Sequence, residues 1–298
     1  MRGEFIDLAG VRVYCHAFGS RGSGEPIVLI HGAFTSSRLW QDFLPRLPKG
    51  HRVLVVDLLG HGRSDPPGRA SMTVDAHADR LVQLLDVLGV PVASLVGHGM
   101  GAAVATRVAH QCPERVARMA LVNPMLLADT ARDAAITARL SRVISLLPLW
   151  PRLAPGWLAS ALHSAILPAF THRDTGARSL DVHLQAFRSR DGRDAACAQL
   201  AALRASGTVA SGTLQSGTIA CPVALVVGTG DPWLSAARSV RLEQALVRAT
   251  SDNVVVHRVA GVAHMTPEEA PDQLGRWISD LLARSTTSSP GEIQSNGS

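Results

Sequence analysis

Five short segments hold most of the residues of this chain that can do chemistry. Gly97-His98-Gly99-Met100-Gly101 lies between an apolar run, Ala93 to Val96, and a helical pattern, Met100 to Gln111, that Pro113 closes. His31-Gly32-Ala33-Phe34 follows the apolar run Ile27 to Ile30, with Trp40 downstream. Asp57-Leu58-Leu59-Gly60-His61-Gly62-Arg63-Ser64-Asp65 follows Val53 to Val56. Gly228-Thr229-Gly230-Asp231-Pro232 follows Val223 to Val227, and Gly261-Val262-Ala263-His264 follows Val254 to Val259. Glycine lets a backbone turn tightly and approach a ligand, while histidine and aspartate are residue types that move or hold protons. Each segment ends a run that reads as a buried strand, and open α/β sheets bind ligands at the carboxyl ends of their strands.

The elements that must position these segments are legible from periodicity. Val74, Ala78, Leu81, Leu85 and Leu88 keep helical spacing, with Thr73 placed to cap the helix and Gly89 to stop it. Arg118 to Val122 reads as a further strand. Strands alternating with helices predict a mostly parallel central sheet with helices on both faces, an α/β fold. From about Leu126 to Gly217 the pattern breaks into helical character with many prolines and no strand run. It resumes at Pro222 and ends in an amphipathic helix expected from Pro267 to Arg284. Residues 1–125 and 218–284 are therefore expected to form one core, and 126–217 a helical cap, or lid, inserted over the strand ends. Residues 285–298, rich in Ser, Thr, Gly and Pro, are expected to be a disordered tail. There is no internal repeat.

Composition narrows the function classes. The chain has 298 residues, 46% hydrophobic and 18% charged, enough for a sizeable core in one large or two small domains. The net charge of +5 comes almost wholly from arginine, Lys49 being the only lysine, and no run of five or six basic residues occurs. That pattern predicts a solvated surface rather than a nucleic-acid groove. Cys15, Cys112, Cys197 and Cys221 form no C-x-x-C pair, and no Cys/His spacing resembles a zinc site; they read as reduced thiols in a cytoplasmic protein. The first fourteen residues carry Arg2, Glu4, Asp7 and Arg12 and no apolar core of signal-peptide length. The most apolar stretch, Ile136 to Phe170, is broken by Pro148, Pro151, Pro155 and Pro168 and carries Arg139, Arg142, Arg152 and His163, so no membrane insertion is expected. No G-x-G-x-x-G follows a strand, no phosphate-binding G-x-x-x-x-G-K occurs, and no metal-ligand cluster stands out; the expectation is no cofactor and no metal. Nothing in these features bears on oligomeric state.

Taken in order, the five segments resemble the α/β-hydrolase fold superfamily. Gly97 to Gly101 resembles its G-x-S-x-G nucleophile elbow, with Gly99 where the serine stands. His31 to Phe34 resembles the H-G-x-x strand end, Asp57 to Asp65 the D-x-x-G-x-G-x-S loop, and the segments at Asp231 and His264 the acid and histidine loops. The resemblance covers Glu25 to about Arg284 apart from the middle segment. It implies the chain order nucleophile, acid, histidine, which falls on Gly99, Asp231 and His264. Asp231 would orient His264, and His264 would act as general base or acid. The backbone amides of Met100 and of Ala33 or Phe34 would form an oxyanion hole. Gly99 supplies no oxygen, so the serine-ester mechanism is excluded. The elbow holds its central residue in a backbone region that costs a non-glycine residue about 1–3 kcal/mol. Glycine tolerates it, so the turn is expected to survive, with room beside His264 for a water or a substrate hydroxyl.

Other residues carry more than one reading. His31 and His61 sit in turns that the resemblance makes structural. His98 packs beneath the elbow or lines the pocket; Asp57 orients a loop or reaches the pocket as a second acid. Ser36 and Ser37 lie just past the oxyanion strand but outside elbow geometry. Trp150, Trp157 and Phe170 belong to the core of the cap and suggest an apolar pocket roof, hence a hydrophobic small-molecule substrate. Three functions fit. The first, and preferred, is a non-covalent acid/base catalyst, a cyclase, lyase or isomerase. Relatives in natural-product pathways run such chemistry, and a composition rich in Arg, Ala, Gly and Val matches a GC-rich genome. The second is a hydrolase in which His264 activates water. The third is a non-catalytic binder that kept the pocket. An engineered loss of serine is a fourth, though alanine is the usual inactivating choice.

Overall fold

Every second residue of the apolar runs faces the same way, and the two sets of side chains fill two cores. In the computed structural model, residues 3–19, 24–126, 157–205, 214 and 217–284 are described. Eight strands form one sheet: β1 (Gly3–Leu8), β2 (Val11–Phe18), β3 (Ile27–Ile30), β4 (Val53–Asp57), β5 (Ala93–His98), β6 (Val116–Val122), β7 (Val223–Gly228) and β8 (Val254–Val259). Their spatial order is β1-β2-β4-β3-β5-β6-β7-β8. The β1–β2 and β2–β4 pairs are antiparallel and all later pairs are parallel. Val28, Ile30, Leu54, Val56, Leu95, Leu121 and Leu225 point into one core, and Ile27, Leu29, Val53, Val55, Val96, Val122 and Val226 into the other. That period-two split explains why these strands read as unbroken apolar runs: both faces of a mostly parallel sheet are covered.

The expected helix α1 forms at Val74–Val87 with the Thr73 hydroxyl accepting from the Ala76 amide, and Gly89 follows at φ 63°. Helix α2 runs from Met100 to Gln111. Between β6 and β7 the described residues hold three helices and no strand: α3 (Trp157–Ile166), α4 (Arg173–His183) and α5 (Arg190–Ala205). Trp150 and the 285–298 tail lie outside the described residues, as does the side chain of Trp157. After β7 come α6 (Ala236–Thr250) and, beyond β8, α7 (Pro271–Ala283).

Three features depart from the sequence reading. The β1–β2 hairpin was not anticipated, because its exposed face breaks the apolar pattern: Glu4 and Phe5 face solvent while Ile6 and Leu8 are buried. Helix α6 was likewise missed. The last helix does not run unbroken from Pro267 to Arg284. A single turn, Thr266–Glu269, stops at Ala270 before α7 begins at Pro271. Proline disfavours helical backbone in the residue before it, and Ala270 accordingly leaves the helix at φ −139°. Among the described residues no helix is long and apolar enough to cross a membrane.

Four histidines are fully enclosed: His31, His61, His77 and His98 are each no more than 1% exposed. Burial pushes His31, His61 and His98 down to about 3 and His77 well below its usual 6.5. Folded, these rings stay neutral; unfolded, they take up protons as pH falls through 6.5. Their contribution to stability is therefore complete above that pH and is lost as pH falls toward 3. For four rings the loss between pH 7.5 and 5.5 is about 5 kcal/mol. Urea midpoints measured at the two pH values should fall accordingly; an unchanged midpoint would show that the rings are not held neutral.

Candidate active site

The carboxyl ends of β3, β5, β6, β7 and β8 bring the sequence-predicted residues together. Gly99 is the hinge between β5 and α2, at φ 54° and ψ −114°, a left-handed conformation that side chains rarely adopt. Its neighbours are glycine for a different reason. A Cβ on Gly101 would collide with the carbonyl oxygens of Ile30 and His31, and one on Gly97 with the carbonyl of Gly101. The turn thus requires the small flanks, while its centre faces His264 and Gly32. A Cβ on Gly99 would come 3.3 Å from Nε2 of His264 and 3.7 Å from Cα of Gly32. Met100 opens a twelve-residue helix at this point, so the unpaired amides and the positive end of its dipole lie beside residue 99.

His264 is 3% exposed, and its Nδ1 lies 2.7 Å from Oδ2 of Asp231. A carboxylate only accepts, so Nδ1 carries the proton and Nε2, facing residue 99, keeps its lone pair. Asp231 is held on every side. Its Oδ1 accepts from the amides of Trp233 at 2.8 Å and Leu234 at 3.2 Å, and its Oδ2 also accepts from Nδ2 of Asn123 at 2.8 Å. Burial pushes this carboxyl up, but the His264 charge and hydrogen bond, with those from Asn123 and the Trp233 amide, outweigh it and leave it below the usual carboxylate range. The pair can therefore take a proton at Nε2 while the adjacent carboxylate stabilises the resulting imidazolium.

Two partners of this pair, Asn123 and Trp233, and a third residue nearby, Gln199, had no role in the sequence reading. Asn123 is the residue after β6, fully buried, at φ 45°; its Oδ1 accepts from the Thr266 hydroxyl at 2.6 Å. It therefore ties Asp231 to the turn that follows His264. Its signal was present: it is the first polar residue after a buried strand, like the other site residues. The Trp233 ring meets the His264 ring edge-on at 4.4 Å. Gln199, on α5, is 2% exposed; its Oε1 accepts from the Phe34 amide at 3.3 Å and its Nε2 donates to the Gly60 carbonyl at 3.1 Å. A single polar residue on an apolar helix face was its only trace in the sequence.

The remaining candidates fall into place around this centre. His98 lies under the histidine: its Nε2 donates to the His264 carbonyl at 3.0 Å and the two rings are 4.7 Å apart. Asp57 is engaged by the loops on either side of it. Its two carboxylate oxygens accept from the amides of Ser37 and Arg63, at 2.6 and 2.9 Å, and fix the two loops that flank it. His31 receives the Leu58 amide on Nε2 and donates from Nδ1 to the Gly32 carbonyl, so it too is structural. His61 lies 3.0 Å from the Leu59 carbonyl and 4.8 Å, ring to ring, from His31. Ser36 is buried and Ser37 spends its amide on Asp57. Phe34 takes φ 58°, an uncommon backbone for a bulky residue, and its amide goes to Gln199. Phe170 is 4% exposed and packs in the apolar cluster of the inserted helices with Leu162, Ile166, Leu180 and Phe187. Among the described residues no group of three or more His, Cys, Asp and Glu is arranged to hold a metal ion.

The inserted segment is stitched directly to this site. The Ala169 carbonyl accepts the amides of His264 at 2.9 Å and Met265 at 3.2 Å. The Thr171 hydroxyl accepts from the Ala263 amide and donates to the Gly261 carbonyl. Glu268 receives the Ser179 hydroxyl at 2.5 Å and pairs with His183 at 2.7 Å.

Comparison with known proteins agrees with this architecture. The chain is 30% identical over 271 residues to a putative carbamate hydrolase of Variovorax paradoxus, covering 90% of this chain and 94% of the relative. It is 37% identical over 124 residues to a 2-hydroxymuconate semialdehyde hydrolase of a Pseudomonas species, covering 41% of this chain and 43% of that protein. It is 39% identical over 136 residues to an uncharacterized protein of Mycobacterium tuberculosis, covering 46% of this chain. The chain thus spans 39% and 43% of the length of these last two relatives. Among solved structures, a meta-cleavage product hydrolase from Pseudomonas fluorescens superposes with a TM-score of 0.75 at 21% identity, over 94% of this chain and 97% of its own. Residues 25–271 match the family described as the alpha/beta hydrolase fold, and to that family this chain belongs.

Proposed function

We propose that this protein is a non-covalent acid–base catalyst, a cyclase, lyase or isomerase acting on a hydrophobic small molecule of natural-product type. One observation carries the reading. The His264–Asp231 pair is assembled at 2.7 Å with Nε2 turned toward residue 99, where there is no side chain to receive or give a proton. In this reading the substrate itself is the partner of Nε2. His264 would remove a proton from it, and Asp231 would stabilise the imidazolium. The amides of Met100 and Ala33, with the α2 dipole, would stabilise the enolate or alkoxide that results, the Phe34 amide being taken by Gln199. Residues 126–217 would serve as the lid over the strand ends, closing an apolar chamber in a cytoplasmic enzyme.

A second reading is hydrolysis by a water that His264 activates in the space a serine hydroxymethyl group would fill. It is favoured by the names of two relatives, a putative carbamate hydrolase and a 2-hydroxymuconate semialdehyde hydrolase. Turnover in oxygen-18 water separates the two. Label in the product identifies hydrolysis; turnover without label identifies cyclase, lyase or isomerase chemistry. Saturable binding with no product under either condition would leave a binder and sink both.

Removing the imidazole, His264→Ala, should lower turnover by about 100-fold or more, the usual contribution of a positioned general base. Unchanged turnover would remove the acid–base reading. Restoring the nucleophile, Gly99→Ser, should confer hydrolysis of 4-nitrophenyl esters at least about 100-fold above the parent protein. It should also cost about 1–3 kcal/mol of stability, because serine must then adopt φ 54°. Replacing Asn123 by alanine deprives Asp231 of a buried donor and leaves the Thr266 hydroxyl without its acceptor. A loss of about 1–3 kcal/mol in urea unfolding should follow, and an unaltered midpoint would argue that the Asn123 bridge does not matter.

A further inference from the structure

The lid helices touch both halves of the site, and the contact on the oxyanion side is made by one polar side chain. Gln199 sits on α5 between the buried Ala196 and Leu200, in a lid that is otherwise apolar on this face. Its carboxamide is shared between two loops of the core. Oε1 takes the amide proton of Phe34, and Nε2 gives a proton to the carbonyl of Gly60. Phe34 is the second residue past His31-Gly32, and it stands at φ 58° with its ring 6.1 Å from that of Phe187 on the lid. A bulky residue persists in that backbone region only where its surroundings hold it there. Two of its neighbours, the Gln199 oxygen and the Phe187 ring, belong to the lid.

We propose that Gln199 is a positioning residue: docked on the core, it takes the Phe34 amide and so holds the Ala33–Phe34 loop in the conformation that presents the Ala33 amide beside Gly99. The lid would then complete the oxyanion hole as well as roof the pocket. The loop borders the reacting position, since Gly32 Cα lies 3.7 Å from where a Cβ of residue 99 would be. A carboxamide suits the task because it is neutral, and so shifts no proton affinity at His264, and because it both accepts and donates. Glutamate could accept from Phe34 but would face the Gly60 carbonyl with a second acceptor. This assignment rests on the oxyanion-hole reading above.

Two measurements on the full chain decide it. In Gln199→Met, of similar volume, amide hydrogen exchange followed by NMR should speed up about fivefold to tenfold at Phe34, while the amides of α4 and α5 keep their protection. Loss of protection throughout α4 and α5 would show that Gln199 only fastens the lid, and unchanged exchange at Phe34 would show that it does nothing there; either overturns the proposal. The second measurement uses Gly99→Ser, with 4-nitrophenyl butyrate as probe. Adding Gln199→Met should lower kcat about tenfold or more with KM little changed, and Gln199→Glu should not restore it. Equal kcat would overturn the proposal. Should Gly99→Ser show no esterase activity, the catalytic reading of the site fails on its own, and the exchange measurement still decides the role of Gln199.

Discussion

The turn from β5 into α2 allows no side chain at Gly97 or Gly101, and the site is built on that constraint. Because Gly101 packs against the carbonyls of Ile30 and His31, α2 starts hard against the end of β3. Residue 99 is thereby forced to a positive φ at the mouth of the sheet. The first amides of α2, the loop after His31-Gly32 and the ring of His264 then converge on one point. A serine at that point would pay for its backbone in strain; glycine does not. The geometry that serves a nucleophile has therefore persisted around a residue that cannot be one.

Around that turn, polar groups hold the acid and histidine loops in place. Asp231 has four hydrogen bonds besides its electrostatic attraction to His264, counting the imidazole among the donors. Its position is set by two backbone amides of its own loop and by Asn123 from another strand end. Asn123 in turn holds Thr266, and His98 holds the carbonyl of His264 from below. The histidine loop is thus gripped from β5, from β6 and, through Ala169 and Thr171, from the inserted segment. Neutral buried histidines fill the space beneath: charged rings there would be expensive, and low proton affinity keeps them from competing with His264 for its role.

The same arrangement gives Asp57 and His31 backbone partners in the loops they occupy. Asp57 ends a strand at the same sheet edge as Asp231, yet its two oxygens are taken by amides of Ser37 and Arg63. A carboxylate so engaged shapes the loops on either side of it. His31 likewise spends both ring nitrogens on backbone groups.

Much of this protein is determined by local pattern. The strand runs from β3 to β8 and the helices α1 and α2 follow from periodicity and turn chemistry, and the place of Gly99 and the order of the acid and histidine loops from the motifs' resemblance to the family. These depend on residues near in sequence, so one chain suffices to read them. The β1–β2 hairpin escaped because only part of it is buried, and the break at Ala270 because an amphipathic pattern continues across the proline. What only the tertiary structure decided are contacts between distant residues. Asn123 reaches Asp231 across 108 positions and Gln199 reaches Phe34 across 165. Neither pairing leaves a periodicity or a motif, because the sheet order that makes them neighbours is a property of the packed cores. Gly99 can be read off the sequence as a loss; that its surroundings still aim a proton acceptor at the place of that loss is a result of the fold.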